Sequence, residues 1–436
     1  MFTVLSAMTL AVLDAGMANV ALPTIGRELN IAPANSILIV TTYQAGLLMA
    51  LLPLGAAGER FGHRRVFTAS VALFALASGL AALAPSLSWL VVARFLQGLG
   101  GAGIMAVGVA LLRFTVPRDR FGAAIGWNAF TVALASAAGP IVGAVILAMA
   151  GWPWLFALSV PIAAVTLLGS RALPHTPCRS SALDVESIGL NAMGFGALIM
   201  AAQTATTMPK IALGGLSASV IAFVLLIRRE APKAEPMFPL DLLRTGSFRL
   251  SVIASVSCFA AQSAGLLALP FMLQHQLQQT PLMAGLLITV WPLGVALAAL
   301  AAGRLSDRFS TAWLCAIGSA TLAAGLAGTR FWSDPDRPMT VLPFMALAGI
   351  GFGLFQSPNN RNMFMSAPVG RSGVAGGMQG TARVFGQTAG ALMVALLFSL
   401  TTMDRALQLS FAIGALLALI SGGVSLLRRL ARTLPS

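Results

Sequence analysis

Fourteen apolar runs, most of them about 20 residues or longer, constrain this chain more than any other feature. A helix needs about 20 apolar residues to cross ~30 Å of hydrocarbon. A segment in lipid must also satisfy its own backbone hydrogen bonds, which leaves helices and closed barrels. The first six runs lie near 3–25, 35–57, 66–85, 87–112, 121–149 and 153–173, and two more near 186–206 and 209–228. The last six lie near 249–274, 281–302, 311–330, 339–360, 372–400 and 407–428. Barrel strands would alternate over about ten residues, whereas these runs are continuous. The sequence therefore predicts an all-α integral membrane protein. Composition agrees: hydrophobic residues make up 57% of the 436 and charged residues only 9%, against ~25% charged in soluble proteins.

A formal charge of +14 could suggest nucleic acid, but its distribution argues otherwise. Of the 27 basic residues, two (Arg94 and Arg383) fall inside runs and five (Arg27, Lys210, Arg330, Arg337 and Arg405) in one set of alternate loops. The other twenty fall in the alternate loops on the opposite side. That bias is what the positive-inside rule requires, and one miscounted span would scramble it. The charge thus reports topology, with both termini expected on the cytoplasmic side of the membrane. No nucleic-acid partner is expected.

The three cysteines form no CxxC pair and the three histidines have no ligand-like spacing, so no metal or cofactor is expected. The opening run has no basic leader and no clear cleavage site, and is expected to be a first span rather than a signal peptide. An internal echo divides the chain. "GERFGHRR" (58–65) follows the second run and "GRLSDRFS" (303–310) follows the tenth. The expected organisation is a six-helix bundle over 1–173, an inserted hairpin over 174–229, a cytoplasmic linker over 230–248 and a second bundle over 249–436. Within the linker, "FPLDLLR" (238–244) reads as a short amphipathic helix in the interface.

Four motifs carry a family resemblance. They are "LDAGMANVALP" (13–23), "GAAGERFGHRR" (55–65), "ARFLQGLGGAG" (93–103) and "AAGPIVGAVI" (137–146). In that order and in those runs, the chain resembles the fourteen-span drug:proton antiporter branch of the major facilitator superfamily. The resemblance covers essentially the whole chain. It implies two pseudo-symmetric six-helix bundles plus a two-helix hairpin, alternating access to a midplane site, and energy from the proton gradient rather than a cofactor. It also implies that Gly139, Pro140 and Gly143 form the fifth-helix antiporter motif, sealing the interface between halves. Small residues four apart permit close backbone approach, and proline removes a helix hydrogen bond. This sequence departs from the family pattern at Glu59, His63 and Pro153.

The residues have their own physical reading. Asp14 lies ~15 Å from either end of its run and Arg94 ~10 Å below the outer end of its own. A charge at that depth costs several kcal/mol, so such residues are functional by default. Burial disfavours the charged carboxylate while a neighbouring guanidinium favours it. A group balanced between the two can take and release a proton, so Asp14 with Arg94 is the candidate coupling pair. A purely structural ion pair is the alternative. Glu59, Arg60 and Arg64 read as a gating cluster, with Arg113 as the partner of Glu59 and with Asp307 and Arg308 repeating the turn. Asn19, Tyr43, Gln44, Gln97, Asn128 and Arg383 are the candidates for lining a substrate cavity.

Three functions compete. Proton-coupled export of small amphipathic compounds leads. A metabolite importer would share the fold. A membrane enzyme would need converging catalytic groups, and a lone Asp14 is too little. With one acid and two arginines in the spans, neutral, monocationic or zwitterionic lipophilic substrates are favoured over dications. The protein is expected to act as a monomer in the bilayer.

Overall fold

A computed structural model describes residues 1–117, 121–176, 184–233, 236, 240–331, 337–366 and 372–433. Among them, 14 helices are long and apolar enough to cross a membrane. In order these are α1 (Phe2–Glu28), α2 (Pro33–Phe61), α3 (His63–Ala82), α4 (Leu87–Thr115), α5 (Phe121–Met149), α6 (Pro153–Ser170), α7 (Val185–Thr204) and α8 (Pro209–Glu230). They continue as α9 (Gly246–Gln276), α10 (Pro281–Leu305), α11 (Thr311–Phe331), α12 (Pro338–Met365), α13 (Ser372–Leu400) and α14 (Met403–Thr433).

Local chemistry sets the ends. Ser86, Asp184 and Thr280 accept a backbone N–H in the first turns of α4, α7 and α10, filling donors that a helix start leaves open. Gly62, at φ 91°, turns the chain from α2 straight into α3, a conformation that other residues adopt only with strain. That tight turn explains one difference from the sequence reading. His63, Arg64 and Arg65 form the first turn of α3 rather than a loop, and Arg64 is held there by donating to the Arg171 carbonyl at 2.9 Å.

The chain forms two compact units, Met1–Arg229 and Glu230–Ser436. In the first, α2 packs on α4, α3 on α4, α1 on α5, and α6 on both α1 and α3. In the second, α10 packs on α12, α11 on α12, α9 on α13, and α14 on both α9 and α11. The same wiring recurs, and so do individual contacts. A Cβ on Gly98 would come within 2.1 Å of the Tyr43 carbonyl, and one on Gly349 within 2.2 Å of the Trp291 carbonyl. Gly46 meets Phe95 and Leu99 as Gly294 meets Ala346 and Ile350. The equivalent positions are 248 residues apart on α2/α10 and 251 apart on α4/α12. The echoed turn obeys the same register, which pairs Glu59 with Asp307 and Arg60 with Arg308.

The hairpin α7–α8 belongs to the first unit. Gln203 donates to Thr41 at 2.9 Å and Asn191 to the Met49 carbonyl at 3.1 Å, tying α7 to α2. Ser219 donates to the Gly194 carbonyl, and Phe195 meets Phe223 edge-on, closing the hairpin. Arg229 pairs with Asp184 and Glu186 across its open end.

Two sequence expectations change in the second unit. Of "FPLDLLR", Phe238 and Pro239 lie outside the described residues, while Leu240–Arg244 is a short helix. Its Leu242 is buried against Phe248, Val252 and Met363, so the segment is anchored in protein. Arg428, counted with the solvated loop charges, is only 3% exposed. It donates to Ser251, Asn359 and Ser425 at 3.1, 3.0 and 2.5 Å. Nothing in "SLLRRL" distinguishes a buried arginine from a topology signal, because its partners come from helices far away in sequence.

Candidate functional site

The charge centre of the first unit is built by α1, α2, α3, α4 and the α6 segment. Asp14 and Arg94 are each 1% exposed, and Arg94 Nη1 donates to Asp14 Oδ2 at 2.6 Å. Gln97, one turn along α4, is fully buried. Its Nε2 donates to Asp14 Oδ1 at 2.8 Å and to Ser78 Oγ at 2.9 Å. Its Oε1 accepts from Arg94 Nη1 at 2.6 Å. Both carboxylate oxygens are therefore engaged by donors, with Ser159 Oγ at 3.5 Å from Oδ1 as a weak third.

Arg94 does not depend on Asp14 alone. Its Nε donates to the Ile39 carbonyl at 3.1 Å. Its guanidinium carbon sits 4.4 Å from the Tyr43 ring centroid and 5.5 Å from that of Phe156. Such cation–π contacts are worth ~2 kcal/mol or more when desolvated. Tyr43 is held there because Gly98 and Gly46 let the α2 and α4 backbones touch.

Gly139, Pro140 and Gly143 lie on α5 and face α1. A Cβ on Gly139 would come 3.0 Å from the Gly16 Cα, and one on Gly143 2.9 Å from the Met17 Cα. The motif thus sets the α1–α5 approach two to three residues from Asp14.

Of the six expected cavity residues, Gln97 and Tyr43 instead form the immediate shell of the ion pair, and both are buried. Gln44 is buried and Asn128 half-buried, and each keeps a side-chain oxygen with no partner among the described residues. Asn19 on α1 and Arg383 on α13 are half-buried. Ser78 and Ser159 escaped the sequence reading, since a lone serine in an apolar run carries no signal.

The gating candidates do not all meet. Arg113 is exposed, and no ion pair joins it to Glu59. Glu59 lies within electrostatic reach of His63. Arg60 lies over the Phe61 ring and Arg64 reaches His175. In the second turn Asp307, the counterpart of Glu59, pairs at 2.9 Å with Arg361, three residues before the register counterpart of Arg113. Arg308 is exposed beside them.

The charge centre has no copy. At the equivalent register, Arg94, Gln97 and Ser78 correspond to Met345, Ala348 and Leu326, all buried and apolar or nearly so. The repeat explains the packing but not the polar residues.

The sequence profile of the Major Facilitator Superfamily matches residues 4–225 and 250–435. This chain belongs to that family. It is 40% identical over 431 residues to the uncharacterized transporter YebQ of Escherichia coli K12, covering 98% of this chain and 94% of that one. It is 28% identical to the riboflavin transporter RibZ of Clostridioides difficile, covering 86% and 82%. Puromycin resistance protein pur8 of Streptomyces alboniger is 30% identical, covering 93% and 82%. Among solved structures, the peptide transporter POT bound to sulfate matches at a TM-score of 0.75 with 16% identity, covering 99% and 94%. The superfamily member described here is thus a multi-pass membrane transporter with 14 spans, and its family consists of transporters rather than enzymes.

Proposed function

We propose that this transporter exports small amphipathic compounds in exchange for protons, and that Asp14 is the proton carrier. The observation that carries the reading is a membrane-depth carboxylate whose cationic partner keeps other contacts. When Asp14 Oδ2 takes a proton, the lone pair that accepted from Arg94 Nη1 becomes an O–H bond. Arg94 then still has the Ile39 carbonyl, the Gln97 carbonyl and the Tyr43 face. Removing a charge partner in low dielectric ordinarily costs ~3–5 kcal/mol. These contacts reduce that cost, so Arg94 remains held when Asp14 gives up its charge. At 1% exposure the pair is sealed, and proton exchange requires opening, as an alternating-access cycle supplies.

Gln44 and Asn128, with oxygens free to accept, are the substrate-contact candidates that the geometry favours. The proton gradient is the energy source, the protein works as a monomer in a bacterial inner membrane, and both termini face the cytoplasm. The Streptomyces alboniger resistance protein supports export. A metabolite carrier is the second reading, favoured by the riboflavin transporter among the relatives. The test is susceptibility profiling of an efflux-deficient bacterial host expressing the chain. Export predicts raised resistance to a set of amphipathic compounds that Asp14→Asn abolishes at equal membrane abundance. Unchanged susceptibility, with accelerated uptake of a nutrient, would favour the second reading.

A further inference from the structure

The second unit carries a feature that proton-coupled export does not use. At the end where α9 and α11 finish and α14 begins, a cavity of about 490 Å³ opens to the surface. That is within the range of small-molecule sites, roughly 300–1,000 Å³. Met272, Leu277, Leu407 and Phe411 close its base, but each is 2% exposed or less, so the surface it offers a ligand is mainly polar. Its rim is polar and carries charges of both signs, Arg330 and Asp404.

Those two charges do not neutralise each other. Among the described residues, Arg330 makes no ion pair, and its guanidinium lies over the Phe331 ring at 5.0 Å. Asp404 accepts from Gln276 Nε2 at 2.8 Å and has no cationic partner. Opposite charges that line one cavity without pairing leave it an anion subsite and a cation subsite. The backbone is specialised here too. α9 ends in a π-helical turn, Met272–Gln276, followed by Gln278 at φ 51°. A π turn is one way a helix ends, and this one brings His275 and Gln276 to the cavity.

The fold itself does not demand these residues. At the equivalent register in the first unit, Thr329 and Arg330 correspond to Ala81 and Ala82. There α1 ends in an ordinary turn, with Leu29 N–H donating to the Ile25 carbonyl. We infer that this cavity binds a small soluble zwitterion, its anionic end on Arg330 and its cationic end on Asp404.

The test uses the full chain in nanodiscs of phosphatidylglycerol, which carries no zwitterionic headgroup to compete. Equilibrium dialysis compares L-phenylalanine with two probes that each keep one charge, phenethylamine and 3-phenylpropionate. The expected result is saturable phenylalanine binding, with each single-charge probe weaker by about tenfold or more, the scale of one charge-assisted hydrogen bond. Arg330→Gln and Asp404→Asn should each weaken phenylalanine by a similar factor, while Asp14→Asn leaves it unchanged. Absence of saturable phenylalanine binding, equal affinity for the three probes, or indifference to both rim variants would overturn the inference. So would loss of binding in Asp14→Asn, which would place the ligand at the charge centre instead.

Discussion

At the residue scale, glycines decide whether the charge centre can exist. Gly98 is the sharpest case, because a Cβ would come within 2.1 Å of the Tyr43 carbonyl, an atom that cannot move without shifting α2. Gly98→Ala is therefore expected to cost about 1–3 kcal/mol through overpacking and to displace Tyr43 from Arg94. Gly79→Ala is the control, since nothing lies within 4 Å of its Cβ position. Thermal denaturation of the purified variants checks this: Gly98→Ala should melt earlier and Gly79→Ala should not. Equal melting temperatures would mean that α2 and α4 have room to separate. Asp14 and Arg94 were legible in the sequence because charges inside apolar runs stand out. The shell around them was not. Gln97 passes for a cavity residue, Ser78 and Ser159 for fillers, and only the fold brings α3 and α6 to the same place.

At the element scale, the spans follow from hydropathy nearly to their ends. The differences arise where polar residues enter a helix, as His63–Arg65 do at the start of α3 and Met403–Asp404 do at the start of α14. A window that counts apolar residues stops short there, although the backbone continues to hydrogen-bond. The hairpin α7–α8 was visible as two further runs. Its attachment to α2 rests on Gln203 and Asn191, whose partners no local pattern reveals. Fourteen spans place the loops before α7 and after α8 on one side and the loop after α11 on the other. Reporter fusions after residues 180 and 240 should read cytoplasm, and a fusion after residue 335 the opposite side. A split between 180 and 240 would remove the hairpin and with it the fourteen-span reading.

At the scale of the whole molecule, two units share one wiring and differ in chemistry. The repeated glycine contacts show how one helix arrangement is encoded twice, while the Asp14–Arg94 pair, buried on both sides, lies in the first unit. Under the proposed exchange, one titrating group in one unit suffices to carry one proton. The central claim is that Asp14 couples proton movement to transport and is not merely a strut between α1 and α4. Asp14→Asn keeps the side chain's volume and, like the protonated acid, offers one accepting and one donating end, but cannot carry charge. Purified wild-type and Asp14→Asn proteins, reconstituted into proteoliposomes, would be assayed with a substrate from the susceptibility screen. Uphill accumulation driven by a pH gradient and substrate counterflow without a gradient would be measured on the same preparation. The account predicts that the variant reconstitutes at wild-type yield, retains counterflow and loses gradient-driven accumulation. Full gradient-driven accumulation by Asp14→Asn would contradict it, because among the described residues no other carboxylate lies at that depth within a span.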